Sequence, residues 1–395
     1  MTRPTLEMAD ILRASGSSFW ERQGSHLAWQ HRKVMEAIVR CRTAALGGHR
    51  DQCLRCGYQA ISYNSCRNRH CPNCQGNARA KWLAPRSAEL LPVPYFHIVF
   101  TLPHELSTLV LQNKRLLYDL LFRISAATLL EVARDPKHLG ADIGLLSVLH
   151  TWGQNLQHHP HVHCVVPAGG LAVDGSGWIA ASQRFFLAAR VLSRVFRGKF
   201  TAALKQLLLQ GKLQFYGSLL ELARPERFRQ FLRQIFTKEW VVYAKPPFGG
   251  SEHVLHYLAR YTHRVAISNH RLLTFKDDRV SFRWKDYACG SKQKVMTVST
   301  HEFLRRFLIH VLPKGLVRIR HFGLFANRRR AASLRRCRVL LAMPSSPQKP
   351  ASTSQLRCPS CSELMIVLER MTGAQLYFRS THTPSHSPPC GVDSS

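Results

Sequence analysis

A chain of 395 residues, 45% of them hydrophobic, has the material for two or three domains around buried cores, and no stretch approaches the about 20 apolar residues that cross a bilayer. Its 56 lysines and arginines against 23 acidic residues give a formal charge of +33, which attracts polyanions and favours nucleic acid over a membrane surface as partner. The opening MTRPTLEMADILRASG lacks the apolar run and cleavage site of a signal peptide, so the expected compartment is the cytoplasm, where 12 cysteines argue for metal binding over disulfides.

In chain order, the apolar spacing of HLAWQHRKVMEAIVRCRTAAL predicts a helical lead that Gly47-Gly48 stops. A cysteine cluster runs from Cys53 to Cys74, and residues 78–92 connect it to a larger region. That region opens on a strand, YFHIVFTLP (95–103), followed by a helix over 105–135. IGLLSVLHTWG (143–153) and HVHCVVPAGG (161–170) read as strands, and residues 184–211 as a helix closed by Gly211. WVVYAKPPF (240–248) is a short strand, Ser251 caps a helix to about Thr262, and 272–284 is a hairpin turning at Asp277-Asp278. VMTVS (295–299) is a further strand, after which Ser299 and Glu302 make a capping box for THEFLRRFLIHVL.

Short strands among long helices predict an α+β fold with a largely antiparallel sheet. MPSSPQKPASTSQ, from residue 343, reads as a linker, and the last 16 residues as disordered. The chain then divides into a helical lead with a metal-binding module (1–92), a central domain (93–340), and a linker with a poorly ordered tail carrying an isolated Cys-x-x-Cys (341–395).

Cys53-x2-Cys56 and Cys71-x2-Cys74, separated by 14 residues, have the spacing of a four-thiolate structural zinc site. Gly57 and Pro72 suit the tight turns that two such knuckles need. Cys66 and His70 lie between them and could replace one knuckle or hold a second ion; Arg67, Arg69 and Arg79 give the module a basic surface for DNA. Near the C-terminus, Cys358-Pro-Ser-Cys361 has no second pair beside it, and Cys337, Cys390, His382 or His386 would have to complete it.

The stretch HHPHVHCVVP holds His161 and His163 on either side of Val162. On a strand both imidazoles point the same way, so they can chelate one divalent ion; a lone strand histidine would more often be a core residue. In HVLHYLARYTHRVAIS, Tyr257 and Tyr261 stand four apart on an expected helix and share a face, with Arg260 and Arg264 beside them. A purely apolar stripe would not be so cationic.

These two features, with SYNSCRNRHCPNCQ, YFHIVFTLPHEL, HTWGQNLQHHPHVHCVVPAGG, YLARYTHRVAISNHRL and VRIRHFGLFANRRR in the same order, resemble the two-tyrosine HUH transposases of bacterial insertion sequences. The resemblance runs from about residue 5 to about residue 335 and fades after Cys361. It implies an HUH endonuclease core with an RRM-like antiparallel sheet, preceded by a zinc-binding domain. It implies His161 and His163 as ligands of Mg2+ or Mn2+, Tyr257 and Tyr261 as nucleophiles, and structural Zn2+. The substrate it implies is single-stranded DNA at the element's ends and at the target, with no membrane partner and a nucleoid-associated location. Arg260, Arg264 and Arg328-Arg329-Arg330 are expected to guide the strand, and His253, one turn before Tyr257, is a candidate third ligand. Two rival readings are a zinc-finger protein that binds DNA without cutting it and an inactive copy of the element.

Overall fold

The computed structural model describes residues 4–182, 187–248, 262–287, 289–342 and 356–382. In chain order, helices α1 (Met8–Gln23) and α2 (Trp29–Arg40) lead into strands β1 (Gly48–Cys53) and β2 (Gln59–Tyr63) and helix α3 (Gln75–Ser87). Next come β3 (Tyr95–Thr101), α4 (Ser107–Gln112), α5 (Lys114–Arg134), β4 (Ala141–Asp142), β5 (Gly144–Trp152), β6 (His158–Pro167), β7 (Gly169–Ala172) and β8 (Trp178–Ala180). α6 (Ala189–Leu209), α7 (Pro225–Thr237), β9 (Val242–Phe248), β10 (Leu272–Lys276), β11 (Arg279–Asp286) and β12 (Lys292–Ser299) follow. The described chain closes with α8 (Thr300–Leu308), β13 (Ile319–Gly323), α9 (Arg330–Leu340), β14 (Met365–Met371) and α10 (Gly373–His382).

Two compact units are assembled from non-consecutive stretches. Met1–Ala84, His263–Val311 and Lys349–Ser395 form the first; Pro85–Thr262 and Leu312–Gln348 form the second. Residues 263–311, which the linear division of the sequence assigns to the central domain, therefore cluster with the N-terminal residues. In the stretch expected to be linker and tail, residues 356–382 form β14 and α10. Residues 343–355 and 383–395 lie outside the described residues.

In the first unit, apolar residues at helical spacing bury one face of α1 (Met8, Ile11, Leu12, Phe19) and one of α2 (Val34, Met35, Ile38). Glu7 and Asp10 close a capping box at the start of α1. Asn269, which is buried, ties three segments together: its Oδ1 accepts the Met8 N–H at 3.1 Å and its amide nitrogen reaches Asn73 Oδ1 at 2.6 Å. One three-stranded sheet has the order β14-β1-β2 and the other β10-β11-β12, all pairs antiparallel. Gly47 enters β1 at φ +74°, where an added Cβ would stand 2.5 Å from the Met371 carbonyl oxygen, so glycine is required there. The hairpin turns at Asp277-Asp278, both at φ +51°, as two left-handed residues between strands must. Ser299 Oγ accepts the Glu302 N–H at 3.3 Å, and α8 then buries Phe303, Leu304, Phe307 and Leu308.

The second unit is built on a five-stranded antiparallel sheet ordered β13-β5-β6-β3-β9. Alternation along the strands sorts its two faces. Phe96, Ile98 and Phe100 of β3 and Val162, Cys164 and Val166 of β6 enter a core with Leu117, Leu121 and Leu129 of α5 and Phe196, Phe200 and Leu204 of α6. The opposite face carries His97, Val99 and Thr101 of β3 against His161 and His163 of β6. The helix expected over 105–135 breaks at Asn113, whose side chain donates to the carbonyls of Leu109 and Gln214 and accepts the Gln214 N–H at 2.8 Å. A smaller cluster gathers Leu91, Leu171, Leu324, Phe325, Leu334 and Cys337. Cys337 is a core residue of that cluster, its thiol pushed up to about 11 by burial, and it is absent from the cysteine group that contains Cys358 and Cys361.

Candidate metal centres and active site

The four expected zinc ligands do not share one centre. Cys53 and Cys56 lie at the turn of the β1–β2 hairpin, whereas Cys66, Cys71 and Cys74 follow its open end. Six strand residues span about 20 Å, so one ion cannot bridge the two ends. At the open end the chain supplies Cys41 instead, the residue that caps α2. Cys41, Cys66, Cys71 and Cys74 have their sulfurs within 4.8 Å of one another. Cys41 and Cys66 each stand 3.5 Å from Cys74, and the Cys66 N–H donates to the Cys41 sulfur at 3.4 Å. The Cys71 carbonyl accepts both the Cys74 N–H and the Gln75 side-chain amide, which shapes the second knuckle.

Four sulfurs packed this closely share their protons unevenly. The Cys74 thiol is held far below its ordinary range by donation from Cys41, then Cys66 and Cys71, while the Cys71 thiol is pushed up by the same neighbours, Cys41 first. A divalent cation would resolve that conflict, since all four could bind it as thiolates, and four sulfur ligands in a closed tetrahedron are the donor set of structural zinc. His70 is in none of the metal-competent groups among the described residues. Cys53 and Cys56 instead meet Cys358 and Cys361.

In the second unit the histidine stretch separates into two roles. His158 is a tether: its Nδ1 meets Ser107 Oγ and its Nε2 meets the Tyr118 hydroxyl, each at 2.9 Å. His161 and His163 point together from β6, with ring centroids 4.8 Å apart, as the alternation predicts. The antiparallel register sets His150 of β5 directly across from His161, and one ring nitrogen from each of the three lies within 4.8 Å of the other two. His150 stacks on Trp152 at 4.8 Å, which fixes its plane.

Both motif histidines are held from behind. His161 Nδ1 sits 2.7 Å from the His159 carbonyl, so a ligating His161 donates that proton and uses Nε2. His163 Nδ1 sits 2.8 Å from His97 Nε2, so a ligating His163 also uses Nε2. His97 is held down to about 3, by burial first and then by Lys245 and His161, so it stands neutral beside the site as an acceptor. His150 and His97 were missed from the sequence: each faces the motif only through the pairing of β6 with β5 and β3.

Tyr257, Tyr261, Arg260 and His253 lie outside the described residues. Tyr243 of β9 pairs with Val99, which pairs with His163, and so shares the histidine face. Arg264 belongs to the first unit, where its charge adds to burial in holding Arg271 down to about 10. Of the basic run, Arg329 donates to the Gly323 carbonyl and Arg330 pairs with Glu89 at 3.4 Å; both stabilise their own unit.

Comparison with known proteins decides the family. Residues 144–332 match the family model described as "Putative transposase", and residues 11–102 match the "Transposase zinc-binding domain". The chain is 52% identical over 388 residues to the "Putative transposase y4qJ" of Sinorhizobium fredii, covering 94% of this chain and 97% of the relative. The chain belongs to this transposase family. It is also 29% identical over 299 residues to the "Transposase for insertion sequence element IS801" of Pseudomonas savastanoi pv. phaseolicola, covering 75% of this chain and 70% of that one. No solved structure matches. The zinc-binding region of the transposase contains Cys41 through Cys74, and the antiparallel, histidine-bearing sheet is its HUH-like core. Among the described residues no helix is long and apolar enough to cross a membrane.

Proposed function

We propose that this transposase is a metal-dependent HUH endonuclease that nicks single-stranded DNA at its element's ends through a phosphotyrosyl intermediate and transfers the strand to a target by a rolling-circle route. The observation that carries the reading is the trio His150, His161 and His163, gathered within 4.8 Å on the sheet face away from the core. Mg2+ or Mn2+ held there would supply Lewis-acid polarisation of the scissile phosphate. Three imidazoles favour Mn2+, since Mg2+ prefers oxygen ligands. His150 is positioned to serve as a third ligand; His253, the candidate from the sequence, lies outside the described residues.

The chain's own residues carry the rest. His159 and His97 orient the two motif rings and fix their tautomers. The hydroxyl of Tyr257 or Tyr261 attacks the phosphorus in line, loses its proton, and expels the 3′ oxygen of the neighbouring sugar, which leaves as a free hydroxyl. The 5′ phosphate stays on the phenol oxygen. A phenol with pKa of about 10 is a good leaving group, so a second 3′ hydroxyl can reverse the step on another strand. Two tyrosines let one site hold two strand ends, and Arg260 and Arg264 guide the phosphate backbone. The work is done in the cytoplasm, on the nucleoid.

The test is a covalent-adduct assay with single-stranded DNA from an element end, with and without Mn2+ or Mg2+, on a denaturing gel. A metal-dependent adduct is expected, lost in Tyr257→Phe/Tyr261→Phe and retained in Tyr243→Phe. His161→Ala should lower its rate by on the order of 100-fold or more, because the polarising ion is worth several kcal/mol. Intact DNA binding with no adduct on any end sequence would favour a zinc-finger protein that binds without cutting, or an inactive copy.

A further inference from the structure

The Cys-x-x-Cys near the C-terminus is not isolated. Cys358 and Cys361 stand against Cys53 and Cys56, the knuckle at the turn of the β1–β2 hairpin. Cys53 is 3.4 Å from Cys361, Cys56 is 3.6 Å from Cys358, and Cys56 is 3.5 Å from Cys361. A tetrahedral ion with Zn–S bonds of about 2.3 Å would set its sulfurs about 3.8 Å apart, so the cluster is the size of one ion.

The two knuckles are built alike, and that likeness makes the cluster more than a chance meeting of thiols. In the first, the Cys53 carbonyl accepts the Gly57 N–H at 3.2 Å and the Cys53 N–H donates to Tyr58 at 2.8 Å. In the second, the Cys358 carbonyl accepts the Ser362 N–H and the Cys358 N–H donates to Glu363, both at 2.8 Å. Each loop passes through a left-handed residue just after its second cysteine, Gly57 at φ +72° and Ser362 at φ +60°. Serine at that φ is strained, and it is accepted in the place where the first knuckle uses glycine. In the first loop a backbone amide also turns toward the leading sulfur, the Arg55 N–H reaching Cys53 at 3.4 Å. The loops are clasped by strand pairing, with Leu54 N–H on the Leu364 carbonyl and β14 paired along β1 from Cys53↔Met365 to Gly48↔Met371.

We propose that Cys53, Cys56, Cys358 and Cys361 bind a second structural zinc ion, so that this transposase carries two tetrathiolate centres and the C-terminal segment completes the second. The family's zinc-binding region ends at residue 102, so half of this ligand set lies outside it. Zinc enters as Zn2+ and the four thiols give up their protons; nothing is oxidised. The centre clamps β14 and its loop onto the β1–β2 hairpin.

Cobalt substitution of the full-length chain tests the assignment, because thiolate-to-cobalt charge-transfer absorption reports sulfur ligands and ignores the histidine site. The expected intensity is that of two tetrathiolate centres, falling by half in Cys358→Ser/Cys361→Ser and by half in Cys41→Ser/Cys66→Ser. Zinc content should drop by one ion per chain in each double variant. A Cys358→Ser/Cys361→Ser chain with unchanged absorption and zinc content overturns the proposal, as does iron in place of zinc. A second readout on the unaltered protein removes dependence on the variants' folding. Alkylation followed by mass spectrometry should find Cys56 and Cys361, which reach the surface, protected until a chelator is added. Rapid labelling of those two in the zinc-loaded chain would also overturn it.

Discussion

His97 holds no metal in the proposed site, yet it decides how His163 can. Its Nε2 stands 2.8 Å from His163 Nδ1, and burial keeps it neutral, so it accepts a hydrogen bond from His163 Nδ1–H, which leaves the bare Nε2 of His163 to face the ion. Removing such a partner typically weakens metal binding about 10–100-fold. His97→Ala is expected to lose Mn2+ affinity in that range by calorimetric titration while the circular dichroism spectrum is kept; unaltered affinity would reduce His97 to a packing residue. The motif pair itself was legible, because strand alternation alone puts His161 and His163 on one side. His150 was not, since its place depends on which residue of β5 falls opposite His161, a register no local pattern encodes. The cysteines repeat the lesson. Spacing put Cys71 and Cys74 in one group, as the structure does, but the hairpin between the two knuckles separates them from Cys53 and Cys56, and Cys41 joins from the end of α2.

Helix α8 begins as its sequence dictates: Ser299 caps it, and Glu302 holds Arg305 and Arg306 at 2.6 Å each. Those guanidiniums, Arg305 first, hold the Glu302 carboxyl down to about 2. A depressed carboxyl stabilises the fold above its unfolded pKa of about 4.3 and loses that contribution as pH falls through its folded value. Because the group is partly exposed, Glu302→Gln should cost only about 1 kcal/mol at neutral pH. The difference from the unaltered chain should vanish between about pH 4 and pH 2, which urea titrations at stepped pH would follow. Ser299→Ala should cost a similar amount, about 1 kcal/mol, with no pH dependence in that window. Local signals sufficed for α8, for the Asp277-Asp278 turn and for the strand over 95–101. They did not suffice where a distant partner decides: the break between α4 and α5 is made by Asn113 bonding to Gln214, 101 residues away.

The linear division of the sequence missed the assembly because both units are discontinuous. Residues 263–311 and 349–395 return to the first unit after the chain has made most of the second. Charge, by contrast, is a property of the chain as such, and +33 makes a quantitative demand. If the protein neutralises six to ten phosphates, its affinity for single-stranded DNA should fall by on the order of 10³-fold between about 50 and 200 mM salt. Fluorescence anisotropy across that range would measure the slope; a flat profile would mean that the excess charge does not face nucleic acid.

The pairing of β1 with β14 also orders events on the ribosome. Cys56 and Cys358 are 302 residues apart, so at about 5–20 residues per second the hairpin emerges roughly 15–60 s before its second knuckle exists. Through that interval one edge of β1 is open to pairing with other nascent strands. A premature stop anywhere in the second unit would leave that edge uncovered for good. An interrupted copy of the gene would then yield a product that is defective in both units and prone to aggregate, not a free-standing DNA-binding fragment.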